Sequence, residues 1–262
     1  MLPDFELIQH HIPHNNDITI VPVADVHLGA AMAMETEFAE FCEKIAKEKN
    51  TYVILGGDLL DNGIKSAVGA SIYRQKYFPS EAKSIMTEYL APLAENGKIL
   101  ACINGNHEFR STKETDDTLL YDICFRLHIE HLFRENIAFI KIQIGNTDYS
   151  GKQNPTYVLT VVHGHGGGMT GAMVNKGERF GNIDGSDALI LGHSHKPFVT
   201  QPGKIRIDTH NNQVKIVPYK VICASSWLQY GGYAAQMMLQ PTTHTSTKLI
   251  LCGNHKEMIV TM

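Results

Sequence analysis

Two rhythms of apolar residues alternate along the first hundred positions. "ITIVPVA" (18–24), "TYVILGG" (51–57) and "KILACING" (98–105) are short apolar or β-branched runs ending in small or polar residues, the pattern of strands buried on both faces. Between them, "ETEFAEFCEKIAKEK" (35–49) and "SEAKSIMTEYLAPLA" (80–94) carry apolar residues at helical spacing, the second with Ser80 placed to cap it. Strand, helix and strand in succession predict a parallel sheet. After about residue 136 the pattern turns to strands: "IAFIKIQIG", "TYVLTVVHG", "DALILGH", "IRIDTH", "QVKIVPYKVICAS", "TKLILCG" and "KEMIVTM". "KIRIDTH" and "VKIVPYKV" read as completing a second sheet. No repeat, low-complexity tract or linker divides the chain, so the pattern predicts one α/β domain over residues 1–262.

The polar residues cluster where strands stop. The first run passes into "ADVHLG", with Asp25 and His27, and the second into "GGDLLDNG", with Asp58 and Asp61. The third ends in "NGNHEFR", with Asn106 and His107; "VVHGHGGG" delivers His163 and His165, and "LGHSHKP" delivers His193 and His195. Side chains at the carboxyl edge of such a sheet face a shared crevice. Residues two apart in extended chain project the same way, so the D-x-H and H-x-H pairs each converge on one region. Buried carboxylates and imidazoles are costly without partners, and metal ions supply them. Carboxylate, amide oxygen and imidazole without thiolate suit Mn²⁺, Fe or Zn²⁺ better than Ca²⁺ or a structural zinc.

Composition narrows the setting. With 43% hydrophobic and 19% charged residues over 262 positions, the chain can bury a large core, which excludes a disordered protein. A net charge of −4 and a sequence pI near 6.4 argue against a general polyanion binder, while leaving room for a local basic groove. The five cysteines are scattered through apolar runs and read as reduced core residues. No run approaches the roughly 18 apolar residues of a membrane span, and the first residues lack a signal-peptide pattern. The reading is a cytoplasmic protein with no membrane association. His10, His11, His14, His128, His131, His210, His244 and His255 fall in no ligand pattern, and Trp227 and Tyr230 read as packing residues.

The five motifs together, D-x-H, G-D-x-x-D, G-N-H-E, H-G-H and G-H-x-H, resemble those of the calcineurin-like metallophosphoesterases. The resemblance runs from Asp25 to His195. It implies two mixed β-sheets packed face to face and flanked by helices, a four-layer sandwich with a dinuclear metal centre at one end. Carried over residue by residue, Asp25, His27 and His195 hold one metal, Asn106, His163 and His193 the other, and Asp58 bridges them. The cofactor implied is a pair of divalent ions, Mn²⁺ first, with Fe or Zn²⁺ as alternatives. A hydroxide between the metals would attack phosphorus. His107 would protonate the leaving oxygen, oriented by Asp61. Arg110 and His165 are candidate substrate-binding residues, and Lys65, Tyr73 and Arg74 lie in a segment that could shape the mouth.

The partner expected is a phosphate-ester substrate. In the phosphoprotein phosphatases of this superfamily an arginine follows the second aspartate of G-D-x-x-D; here Asn62 stands there. Phosphodiesters are therefore favoured, with nucleic acid kept as a candidate substrate because DNA-end nucleases share the same motifs. A different class is a protein-interaction scaffold on the same fold, against which stand His107 and the complete ligand set. Oligomeric state is not legible.

Overall fold

The computed structural model describes residues 4–64, 75–146, 154–166, 170–236, 238, 240–242 and 244–262. In chain order the elements are β1 (Leu7–Ile12), β2 (Ile18–Val23), α1 (Glu35–Lys47), β3 (Thr51–Leu55), α2 (Pro79–Glu95), β4 (Ile99–Ile103), α3 (Glu108–Thr115) and α4 (Leu119–Arg126). After a 3-10 turn at Glu130–Leu132 come β5 (Phe133–Arg134), β6 (Ile137–Ile144), β7 (Thr156–Val162), α5 (Thr170–Phe180) and β8 (Ala188–Leu191). The last part holds β9 (Phe198–Thr200), β10 (Gly203–Asp208), β11 (Gln213–Pro218), β12 (Lys220–Cys223), α6 (Gly232–Gln236), β13 (Lys248–Leu251) and β14 (Met258–Thr261).

Two mixed six-stranded sheets form, ordered β14-β13-β2-β3-β4-β5 and β1-β6-β7-β8-β12-β9. β2, β3, β4 and β5 run parallel, as the strand-helix-strand pattern predicts. β7, β8 and β12 also run parallel to one another. Every residue of β4 is buried because the other sheet covers one face and helices the other, which is why "ILACI" shows no alternation. β6 alternates half-buried and buried positions, with Ala138, Ile140, Ile142 and Ile144 turned inward. Ile140, Leu159 and Ile190 join Ile20, Val53 and Leu249 in one core cluster between the sheets. Helix α1 buries Phe38, Cys42, Ile45 and Ala46, and α2 buries Ala82, Met86, Leu90 and Leu93, each set one stripe at helical spacing. Among the described residues no helix is long and apolar enough to cross a membrane.

The elements depart from the sequence pattern in four places. Ser80 does not cap α2: Pro79 opens the helix, and Glu81 reaches back to accept the Phe78 N–H at 2.8 Å. β1 was hidden by its polar text, "LIQHHI"; its rings reach main-chain oxygens, His10 that of Leu100 and His11 that of Gly145, each at 2.8 Å. α5 interrupts the run of strands. Finally, β10 and β11 join neither large sheet but pair only with each other; β12 and the β13–β14 hairpin complete the sheets instead. All five cysteines are buried and unpaired, as expected.

Candidate metal centre

Each loop that carries a candidate ligand begins where a strand stops. β2 passes into Asp25 and His27, β3 into Asp58 and Asp61, β4 into Asn106 and His107, β7 into His163, and β8 into His193 and His195. The local backbone is not the extended chain expected from the i, i+2 spacing. Asp25 (φ 55°), His27 (50°), Asp58 (52°), His193 (67°) and His195 (56°) all lie in the left-handed region. Each such residue costs about 1–2 kcal/mol, so convergence comes from held kinks rather than from strand alternation. The neighbours do the holding: Asp25 N–H donates to Gly57 O (3.1 Å), His27 N–H to Asp58 O (3.0 Å) and Leu28 N–H to Leu59 O (2.9 Å), so the first two loops run side by side. The third loop closes in because Gly105 has no side chain; a Cβ there would stand 2.1 Å from Asp58 Oδ1.

The ligand atoms gather in two overlapping groups. In the first, His195 Nε2 is 3.3 Å from Asp25 Oδ1 and 3.1 Å from His27 Nε2, and His27 Nε2 is 3.8 Å from Asp25 Oδ1. In the second, His163 Nε2 is 3.1 Å from Asp58 Oδ2, and His193 Nδ1 is 2.7 Å from Asn106 Oδ1. The groups touch: His27 Nε2 lies 3.9 Å from Asp58 Oδ2, and His163 Nε2 lies 4.0 Å from Asp25 Oδ1. His107 also enters a potential ligand group with His27 and Asp58.

These residues fit divalent metals. With the ring neutral, as ligation requires, His163 Nδ1 donates to Gly56 O at 2.8 Å and leaves Nε2 buried and without a hydrogen-bond partner despite its approach to Asp58. An unsatisfied buried polar atom costs about 1–3 kcal/mol. Two imidazole nitrogens facing each other across 3.1 Å, as in His27 and His195, share at most one proton. Aspartate and imidazole supply the hard and borderline donors that Mn²⁺, Fe and Zn²⁺ accept. Cys223 approaches the Ser194 hydroxyl beneath the last loop and belongs to none of the potential ligand groups among the described residues; burial pushes its thiol up to about 12.

Electrostatics divide the histidines. Burial alone would raise Asp58, yet His163, His107 and His27 hold its carboxyl well below the usual range. Burial lowers His27 and His193, which favours the neutral ring that metal ligation requires. Burial also pulls on His163, but Asp58 and Asp25 beside it push it up to about 9. His195 rises for the same reason, through Asp25.

His107, Asp61 and Arg110 come together at the rim. Asp61 Oδ1 stands 3.3 Å from both His27 Nδ1 and His107 Nδ1, while its Oδ2 accepts from Gln75 at 2.6 Å. His107 Nδ1 donates to Asp61 O at 2.6 Å, and Arg110 donates to Asp61 O at 3.0 Å and to His107 Nε2 at 2.8 Å. His165 is different. It is exposed, its main-chain oxygen accepts Lys176, and among the described residues its side chain makes no contact with the cluster. Lys65, Tyr73 and Arg74 lie outside the described residues.

Three further groups shape the site through contacts that their place in the sequence does not reveal. Glu108, fully buried, accepts the N–H groups of Asp58 (2.9 Å), Leu60 (3.0 Å) and Gly105 (2.8 Å), pinning the second loop to the third. Its letter completes the G-N-H-E motif, but nothing in the text reveals that its partners are backbone amides. Asn62 donates to His107 O at 2.7 Å and accepts from Ser111 at 3.0 Å, so it braces the start of α3. Ser226 Oγ and Trp227 N–H both donate to Asp25 O, at 3.1 and 3.0 Å, giving the chain after β12 a part in the site. Elsewhere, Cys252, His255 and Glu257 gather in the β13–β14 turn, but His255 and Glu257 are exposed and satisfy each other at 2.7 Å.

A model of the calcineurin-like phosphoesterase family matches residues 18–197, from the first residue of β2 to just past His195. Comparison with curated proteins finds no match. Three solved structures align over most of the chain. A conserved uncharacterized protein from Streptococcus pneumoniae TIGR4, described as a predicted phosphoesterase, is 9% identical, with 94% of this chain and 98% of that one covered and a TM-score of 0.36. A metallophosphoesterase from Sphaerobacter thermophilus is 14% identical (89% and 83% covered, TM-score 0.38), and the calcineurin-like phosphoesterase YfkN from Bacillus subtilis is 15% identical (90% and 85%, 0.40). The family match spans every loop that brings a side chain to the cluster, and on that match the chain belongs to the calcineurin-like phosphoesterases, a family of metal-dependent phosphoester hydrolases.

Proposed function

We propose that residues 1–262 act as one domain that hydrolyses phosphate esters, diesters in preference to monoesters, at a dinuclear centre. Asp25, His27 and His195 would hold one divalent ion, Asn106, His163 and His193 the other, and Asp58 both; Mn²⁺ suits this donor set, with Fe and Zn²⁺ as alternatives. When bound, such a pair supplies a hydroxide nucleophile at neutral pH and charge neutralisation at the phosphoryl oxygens. The chain's own residues do the rest. His107, beside Asn106 and held through Nδ1 by Asp61, is placed to protonate the departing oxygen from Nε2 once Arg110 has left that nitrogen and it has taken a proton from solvent. Arg110, half-buried against His107, can exchange that contact for a phosphate oxygen, which a guanidinium binds in a fork. The buried, unpaired cysteines support a reducing, cytoplasmic setting.

The observation that carries the reading is the meeting of two ligand groups beside an intact His107–Asp61 pair. The diester preference rests on Asn62: its carboxamide is committed to His107 and Ser111, so no cation follows Asp61 to meet the second charge of a monoester. The test compares initial rates on bis-p-nitrophenyl phosphate and p-nitrophenyl phosphate, using chelator-stripped protein reloaded with Mn²⁺. A higher kcat/KM for the diester is expected, and nucleotides and DNA ends follow as substrates. A monoester preference overturns the diester reading; no turnover on either overturns the enzyme.

A further inference from the structure

The β10–β11 ribbon is built inside out. In its register Ile205 faces Ile216 and Ile207 faces Val214, so these four residues share one face of the ribbon. They are 75%, 79%, 71% and 71% exposed in that order. The other face carries Lys204, Arg206, Asp208, Gln213, Lys215 and Val217. That second face meets the body only at its base: Lys204 is buried, donating to Ile183 O at 2.5 Å and Ser186 O at 3.2 Å, and Arg206, itself exposed, approaches Asp184, while Gln213 and Lys215 face solvent. A two-stranded ribbon is marginal alone and normally turns its apolar face inward. Here that face looks out, aliphatic, β-branched and free of charge.

We propose that this face is a homodimerisation surface, with Ile205, Ile207, Val214 and Ile216 of one copy packed against the same four residues of a second. Self-association fits for two reasons. The face offers no charge for a charged partner to meet, and about a two-fold axis it sets only aliphatic side chains against one another, with no like-charge cost. Its size fits too. Four residues exposed by about three quarters present on the order of 500 Å² of surface, as large as the biggest patch a monomer ordinarily leaves bare. Two copies face to face would remove at most roughly 1,000 Å² in total from these residues, which reaches the lower bound for a specific interface.

The ribbon also stands away from the metal centre. Its base is tied to Ile183 and Ser186, before β8 begins, whereas the ligands follow the end of β8. The dimer therefore leaves both catalytic edges open.

Sedimentation velocity on the full, metal-loaded chain tests this. The wild-type protein at tens of micromolar is expected at twice its 29.1 kDa chain mass. The double variant Ile207→Lys/Ile216→Lys is expected at the monomer mass, with unchanged phosphoesterase activity. A wild-type monomer, or a double variant that stays dimeric, overturns the proposal. If the lysine variant fails to fold, Ile205→Cys decides: every native cysteine is buried, so mild oxidation should give a disulfide-linked dimer from this position. Failure to cross-link under those conditions overturns the assignment as well. Activity is read separately, so loss of the proposed chemistry and loss of the proposed dimer are distinguishable.

Discussion

The carboxyl edge of the sheets and the β10–β11 ribbon both break the rule that polar residues face water and apolar residues face the core, in opposite senses. At the edge, Asp25, His27, Asp58 and His163 are buried and several ligands sit in left-handed backbone. On the ribbon, aliphatic side chains are exposed on ordinary strand backbone. The edge resolves its inversion largely within the chain, through Glu108, Asp61 and main-chain oxygens, and the proposed metal ions would complete the set. The ribbon has no such internal partners. An inverted region thus points to what it lacks: charged donors to a cation, apolar residues to another apolar surface.

The sharpest way to break this contrast is to remove a ligand and an acid separately. Asp58→Asn is expected to reduce turnover below about one thousandth of wild type and to lower bound metal, because it weakens the group nearest both ligand clusters. His107→Ala should cost about 10²–10⁴-fold in kcat, the usual worth of a positioned acid, while metal content by elemental analysis stays at the wild-type level. A fully active His107→Ala enzyme would show that the acid lies elsewhere.

Glu108 tests whether the edge is held internally. Glu108→Ala strands three buried N–H groups, and even at about 1 kcal/mol each the loss reaches ~3 kcal/mol. For a chain of this size that corresponds to a fall in Tm of roughly 6–12 °C. Glu108→Gln keeps one acceptor oxygen and should fall between. A Glu108→Ala protein melting with wild type would mean the loops are fixed by something other than this carboxylate.

What was legible in the sequence follows the same division. The gathering of these side chains could be anticipated because carboxylate, amide and imidazole recur after five apolar runs, and residue type alone suggests the chemistry proposed for them. The parallel half of the first sheet could be read because β2, β3 and β4 alternate with the helical stripes of α1 and α2. The left-handed kinks could not, since spacing of two looks the same in either backbone. Nor could the function of Glu108, whose partners Asp58 and Leu60 lie 50 and 48 positions away and bond through main-chain atoms. β10 and β11 were recognised as strands from their alternation, but alternation says only that two faces differ. It does not say whether either face meets a sheet, and here the ribbon joins neither.

Arg110 gives a smaller effect. Its guanidinium touches His107 and the Asp61 carbonyl without belonging to either ligand group. Arg110→Ala is expected to lower kcat/KM about tenfold, the worth of roughly 1.4 kcal/mol of lost phosphate binding, chiefly through KM. Metal content should not change, and Arg110→Lys should restore part of the loss. An unchanged KM in the alanine variant would reduce Arg110 to a brace for His107.

The smallest predicted effect is the pH dependence of metal stabilisation, and its sign follows from His163. In chelated protein this ring, drawn by Asp58 and Asp25, holds its proton up to about pH 9. Its folded pKa is raised above the ordinary 6.5, so its contribution to metal-free stability is complete below pH 6.5 and is lost as pH rises toward 9. Ligation needs the ring deprotonated, so metal binding must displace that proton, at a cost of about tenfold in apparent affinity for each unit below 9. Both effects act in one direction: the rise in Tm on adding Mn²⁺ should grow steadily from pH 6 to pH 8.5. A rise that is flat or shrinks over that interval would place the displaced proton on another residue and remove His163 from the ligand set.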